Sequence, residues 1–207
     1  LHSDDIPLHD EKALGLLRNG NTSGIFQLEG KGMTKWMKEL QPTSLEDLIS
    51  MIALYRPGPI QSGMLEHFIA RKHGKEQIFY PLEECNVPEL KPVLESTYGT
   101  ILYQEQVMKV AQVVAGYSLG QADLLRRAMG KKKPEEMAKQ RSIFVDGAVK
   151  KGFDEKTASD LFDIVERFAG YGFNKSHSAA YGVVGMQLAY LKAYYPEHLL
   201  CSALNER

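Results

Sequence analysis

The amino-acid sequence predicts a mostly α fold with little strand, and three observations carry that expectation. Apolar residues recur at i, i+3, i+4 and i+7 along much of the chain. Two such stripes are preceded by capping boxes, in which a hydroxyl and a carboxylate or amide satisfy free helix-end N–H groups. Glycine and proline stand between the stripes, where a helix must stop. About eight to ten helices follow from this pattern, with no internal repeat or low-complexity segment.

Taken in order, residues 1–10 carry Asp4-Asp5 and Pro7 and read as a tail or linker. A short helix is expected over 11–18, closed by Asn19-Gly20 as a left-handed cap. A tight turn over 23–29 precedes a helix over 32–40. There Met33, Trp36, Met37 and Leu40 share one face, which places the sole tryptophan in the core. Thr43-Ser44-Leu45-Glu46 reads as a capping box with Thr43 as the cap, opening a helix that stops near Tyr55. Arg56-Pro57-Gly58-Pro59 cannot continue it, and the stop aims Arg56 outward. A helix over 61–72 ends in Arg71-Lys72-His73-Gly74, where cations favour the helix dipole. Residues 75–100, with Pro81, Pro88 and Pro92, are irregular, and 101–103 form a short strand or bend.

Val107, Val110, Ala111 and Val114 mark a helix over 104–115, stopped by Gly116. Ser118-Leu119-Gly120-Gln121 is the second capping box, and its helix is expected to end at Gly130. Pro134, with Glu135 and Glu136 behind it, begins a helix to about residue 150. Ala158, Leu161, Phe162 and Val165 define one over 154–168. Next comes a polar hinge, 170–178, before a helix over 179–195 that is apolar almost all round and reads as buried. A last short helix starts at Pro196.

Composition narrows the function classes. The chain has 207 residues and a net charge of -1, which does not mark a nucleic-acid binder. Its cations are clustered, however, and a local field steers a phosphate whatever the total. It begins at Leu1 and reads as a piece of a longer protein. No apolar run reaches the roughly 18–20 residues of a membrane span; the nearest, 179–191, is short and contains Gln187. Cys85 and Cys201 lie far apart without a C-x-x-C pair, which fits a reducing, cytoplasmic setting. No histidine spacing matches a metal site.

No catalytic centre is evident. Asp160, Asp163 and Glu166 share a helix face and read as solvated. Ser176, His177 and Ser178 are loop neighbours that point apart, with no nucleophile elbow. A Walker A loop is absent. Binding chemistry is richer. Arg126-Arg127-Ala128-Met129-Gly130-Lys131-Lys132-Lys133 holds five cations in eight residues. A cation-rich helix end explains one or two of them; neutralising several phosphates explains all. Asn174, Lys175, Ser176, His177 and Ser178 add amide, ammonium, hydroxyl and imidazole groups, with Ser176 or Ser178 also able to cap the next helix. Tyr171, Phe173 and Tyr181 can stack on bases or fill core. Two functions compete on these residues: a nucleotide- or DNA-contacting domain of a larger enzyme, and a helical scaffold whose basic patch binds an acidic protein.

Seven motifs in order then decide the family. They are Gly24-Ile25-Phe26-Gln27-Leu28-Glu29, Leu54-Tyr55-Arg56-Pro57-Gly58-Pro59, Gln61-Ser62-Gly63-Met64, Arg71-Lys72-His73-Gly74, Tyr103-Gln104-Glu105-Gln106, the run from Leu125 to Lys133, and the stretch 170–181. Together they resemble the fingers region of the bacterial C-family replicative DNA polymerases, the DNA polymerase III alpha subunits.

The resemblance implies a multi-helix fingers domain from a larger DNA-directed DNA polymerase. Residues 1–22 would be a linker leading in from the palm, and 23–207 the helical fingers. The catalytic aspartates and their Mg2+ would sit in a palm outside this chain, which would itself be inactive and hold no metal. Arg126 and Arg127 would meet the triphosphate of the incoming dNTP, supported by Lys131, Lys175 and His177. Asn174, Ser176, Ser178 and Tyr181 would lie near the nascent pair or template, with Arg56, Arg71 and Lys72 as weaker phosphate contacts. Implied partners are primer–template DNA, the palm, thumb and PHP domains of the same subunit, and a replicative holoenzyme with its sliding clamp. No membrane is implied.

Overall fold

A computed structural model describes residues 2–131 and 133–205; Lys132 of the basic run lies outside the described residues. The α-helices are α1 (Glu11–Arg18), α2 (Lys31–Leu40), α3 (Leu45–Leu54), α4 (Pro57–Gln61), α5 (Met64–Lys72) and α6 (Lys91–Leu94). They continue as α7 (Gln104–Ala115), α8 (Leu119–Lys131), α9 (Pro134–Lys150), α10 (Glu155–Ala169), α11 (Lys175–Tyr194) and α12 (Pro196–Asn205). Strand is confined, among the described residues, to an antiparallel pair, β1 (Pro81–Leu82) and β2 (Cys85–Asn86), and one parallel bridge between Tyr103 and Phe173. The mostly α class read from the sequence is the observed one. No helix among the described residues is long and apolar enough to cross a membrane.

The chain forms two compact units, Leu1–Pro57 with Ser176–Arg207, and Gly58–Lys175. In the first, Asp10 caps α1 by accepting the Ala13 N–H at 2.8 Å, and Gly20, at φ 75°, turns the chain after it. Ala13, Leu14 and Leu17 of α1 are buried, as are Met33, Met37 and Leu40 of α2. Trp36 is only half-buried, with Lys35 Nζ 5.1 Å from its ring centroid, so the face is narrower than its periodicity implies. The cap of α3 is Ser44, one residue later than Thr43. Ser44 Oγ accepts from Asp47 N, and the Asp47 carboxylate reaches back to the Thr43 N–H and hydroxyl at 2.8 and 3.0 Å. A carboxylate at the third helical position suits this reach, which Glu46 at the second does not.

In the second unit, the expected helix over 61–72 is interrupted at Ser62-Gly63, where Gly63 takes φ 76° before α5 resumes. Helices α7 to α10 pack around one core that includes Val110, Val114, Leu125, Phe144, Leu161 and Phe162. Gly147 lets α9 approach α7. A Cβ there would overlap the Ala115 carbonyl oxygen and lie 3.1 Å from its carbon.

Two other boundaries differ from expectation. Helix α8 runs through Gly130 to Lys131, so Gly130 is no cap. Helix α11 starts at Lys175, placing Lys175, Ser176, His177 and Ser178 inside its first turn. Nor is α11 buried all round: Ser178, Gly182, Gly185, Met186 and Ala189 are buried along one stripe, while Val184 and Tyr194 are more than 40% exposed.

Candidate functional site

The basic helix is held by its own capping box. Ser118 Oγ accepts from Gln121 N, and Gln121 Oε1 accepts from Ser118 N at 2.8 Å. Ala122, Leu125, Ala128 and Met129 form the buried face of α8, which leaves Asp123, Arg126 and Arg127 on the other side. Arg126 donates Nε–H and Nη2–H to Asp123 Oδ1 at 2.9 and 2.8 Å. Arg127 Nε stands 2.8 Å from Asp123 Oδ2. One carboxylate therefore orients two guanidiniums. The hydrogen bond from Arg126, followed by the charge of Arg127, holds the Asp123 carboxyl below its usual range.

These arginines line a pocket of about 230 Å³ with Gln104, Val107, Gly130, Lys131 and Ala169. Arg126, Arg127 and Lys131 line it, and the two arginines share the Asp123 carboxylate. A small, convergent cationic pocket of this kind suits a phosphate group. Lys133 is exposed beyond the helix end.

The first half of the hinge is tied to α7. Phe173 N donates to Leu102 O at 3.0 Å, and Gln104 N donates to Phe173 O at 2.9 Å. The side chain of Gln104 links hinge and basic helix: Arg126 Nη1 donates to its Oε1 at 3.4 Å, and its Nε2 donates to Gly172 O at 3.5 Å. Glu105 accepts the Lys175 N–H on both carboxylate oxygens at 3.2 Å, supplying an acceptor at the positive end of α11. Lys175 Nζ lies 5.4 Å from the Tyr103 ring centroid. Tyr171 packs on Gly58, where a Cβ would come within 2.6 Å of its ring. Asn174 is exposed.

The second half of the motif belongs to the first unit. Ser176 and His177 are exposed there. The His177 ring meets Tyr181 edge-on at 4.3 Å between centroids. Ser178 is fully buried, which takes its hydroxyl away from the surface where a nascent pair would have to meet it. Gly182 brings α11 against α3; a Cβ there would fall 2.7 Å from Ile49 Cγ1.

The remaining cations are less available. Arg56 does not point outward: its Nε–H donates to Ala53 O at 2.7 Å, and burial lowers its pKa. Arg71 is mostly buried, with Nη1 donating to Tyr98 O at 3.4 Å and Nε 3.7 Å from Glu76. Burial lowers its pKa while the Glu76 charge opposes that shift. Lys72 is half-buried in the last turn of α5. The acidic face of α10 is occupied: Asp163 and Glu166 pair with Arg141 of α9, whose guanidinium also lies 4.8 Å from the Phe162 ring centroid. Among the described residues no three His, Cys, Asp or Glu side chains gather to hold a metal ion.

Sequence reading missed Asp123 and Gln104 as site residues. The signal for Asp123 was present, since a carboxylate three and four residues before two arginines lies on their helix face. Gln104 stood within the Tyr103–Gln106 motif, but nothing local assigned it a role, because its partners are 22 and 68 residues away.

Comparisons with known proteins agree with the family resemblance. The profile described as the bacterial DNA polymerase III alpha subunit finger domain matches residues 1–152. DNA polymerase III subunit alpha of Escherichia coli (strain K12) is 58% identical over 200 residues, covering 97% of this chain and 17% of that protein. The Haemophilus influenzae protein of the same name is 57% identical over 200 residues, with the same two coverages. That of Pseudomonas aeruginosa is 56% identical over 202 residues, 98% of this chain and 17% of that protein. The chain thus spans 17% of the length of these relatives. It belongs to the finger-domain family of bacterial DNA polymerase III alpha subunits.

Proposed function

We propose that the chain is the fingers portion of a bacterial replicative DNA-directed DNA polymerase, and that α8 binds the triphosphate of the incoming dNTP. The observation that carries this reading is the pair Arg126 and Arg127, oriented by one carboxylate at the mouth of a cationic pocket. Guanidiniums fixed before the ligand arrives need no reorganisation when charge develops on the departing pyrophosphate. They also hold the phosphates in line for attack. None of these groups is a nucleophile. The catalytic carboxylates and Mg2+ belong to another part of the polymerase, and the metal's chemistry there is to stabilise attacking and leaving oxygens.

Lys131 and Lys175 add charge for the triphosphate. His177 adds a further donor for the triphosphate, and Asn174, Ser176 and Tyr181 meet the nascent pair or the template. Arg56, Arg71 and Lys72 are weaker phosphate contacts, since the two arginines already donate to backbone carbonyls. Residues 1–22 lead in from the palm and 23–207 form the fingers. The partners are primer–template DNA, dNTP, the rest of the subunit and a clamp-bearing holoenzyme in the cytoplasm.

The test is steady-state incorporation by the complete subunit carrying Arg126→Ala or Arg127→Ala. Loss of one charge-assisted hydrogen bond is worth about 1.5–3 kcal/mol, so kcat/KM for dNTP should fall roughly tenfold or more. Wild-type kinetics in both variants would remove α8 from the nucleotide site.

A further inference from the structure

In the first unit, the turn between α1 and α2 presents an aromatic ring that the proposed nucleotide site does not use. Ile25 and Leu28 are fully buried, yet Phe26 between them is 44% exposed. The turn is closed by Ile25 N donating to Thr22 O and Leu28 N donating to Ile25 O, each at 3.0 Å. Gln27 adopts φ 65°. Two buried anchors thus hold the loop down while Phe26 faces out. Its ring centroid lies 5.2 Å from that of Tyr181, tilted by 53°, and Tyr181 in turn takes the edge of His177. Gly185 seats α11 on this same turn: a Cβ there would lie 3.2 Å from Leu28 Cδ1 and 3.8 Å from Phe26 O. The three rings are therefore set by packing inside one unit.

A second, independent feature borders the same turn. An open groove of about 770 Å³ is lined by Thr22, Ser23 and Glu29 of the turn and by Lys31, Lys35 and Lys38 of α2. Gly20 and Gly30 also line it. The Lys38 side chain lies across Gly20, filling the place of a Cβ. Its one carboxylate, Glu29, accepts the Gly24 N–H at 2.9 Å. Lys31, Lys35 and Lys38 stand at i, i+4 and i+7, on one face of α2.

An exposed aromatic beside a lysine-lined groove is the combination by which proteins hold single strands. The rings stack on bases and the cations follow phosphates. We propose that this surface binds single-stranded nucleic acid, with Phe26 as the outer stacking ring for an unpaired base and Lys31, Lys35 and Lys38 along the phosphates. The proposal rests on the polymerase reading for its biological setting, but its chemistry is separate from the α8 pocket.

The experiment measures fluorescence anisotropy of the 207-residue chain with a labelled oligothymidylate and with the same strand made abasic throughout. Phosphates are equal in the two, so their difference reads stacking alone. Wild type should prefer the base-bearing strand by about 5- to 150-fold, the range of one stacked base. Phe26→Ala should abolish that preference without changing the salt slope, and Phe26→Trp should restore it. Lys31→Gln, Lys35→Gln and Lys38→Gln combined should keep the preference and flatten the slope of log K against log salt by about 2. Circular dichroism melts check that each variant is folded. Equal wild-type binding to both strands, no binding at low salt, or a preference that survives Phe26→Ala in the folded chain would each overturn the proposal. None of these results touches dNTP kinetics of the Arg126 and Arg127 variants, so either reading can fail alone.

Discussion

Cys85 and Cys201 show how surroundings separate two identical side chains. Cys85 is 4% exposed, and burial first, then the charges of Asp160, Glu84 and Asp154, push its thiol up from 9.0 to about 11. Its Sγ–H lies 3.7 Å from Thr157 O. Cys201 is exposed on α12. Since the thiolate is the nucleophile, a disulfide reagent at about pH 8 should modify Cys201 rapidly and leave Cys85 intact in the native chain; both should react in denaturant. Mass spectrometry of the labelled peptides reads the outcome. The sign for stability follows from the same shift. Between pH 9 and about 11 the unfolded chain loses the Cys85 proton and the folded chain keeps it, so stability present below pH 9 falls as pH rises through that window. Cys85→Ser should flatten that part of the pH–stability curve.

Elements were legible where their signals were local and hidden where a distant residue supplied them. Asp10, Ser118 with Gln121, and Asp154 cap their helices with neighbouring backbone, and sequence reading placed those starts within a residue. The start of α11 was missed by four residues because the acceptor for the Lys175 N–H is Glu105, seventy positions away. Gly130 looked like a stop but takes no left-handed conformation, whereas Gly116 (φ 70°) does and ends α7. The candidate site divides in the same way. Arg126 and Arg127 stood out as a cation run, while the Gln104 link existed only once α7, α8 and the hinge had packed. Packing of this kind also makes a sharp prediction at Gly147. A methyl group there meets the Ala115 backbone carbonyl, which cannot swing aside like a side chain. Gly147→Ala should destabilise the chain by about 1–3 kcal/mol, the cost of overpacking, despite its gain in helix propensity. Gly130→Ala, which meets nothing within 4 Å, is the control and should hold or raise stability. Thermal melts of the two variants separate these outcomes.

For the whole molecule, the proposed division of labour rests on where its charges lie. Its net charge of -1 conceals cations gathered on α2 and α8, the two places where we propose that phosphates are held. In-line transfer to a primer end would draw on metal ions, held by carboxylates, to stabilise the attacking and leaving oxygens. The nearest acidic set, on α10, is engaged by Arg141, and no metal-competent cluster exists among the described residues. The chain spans 17% of its relatives, and we place the catalytic carboxylates in the remainder. Primer extension with the purified 207-residue chain, supplied with Mg2+ and all four dNTPs, should therefore yield no added nucleotide. The complete subunit should extend the same primer, and Arg126→Ala in it should slow extension. Incorporation by the short chain would mean that its own side chains assemble a catalytic metal site, and the division of labour proposed for α8 would have to be abandoned.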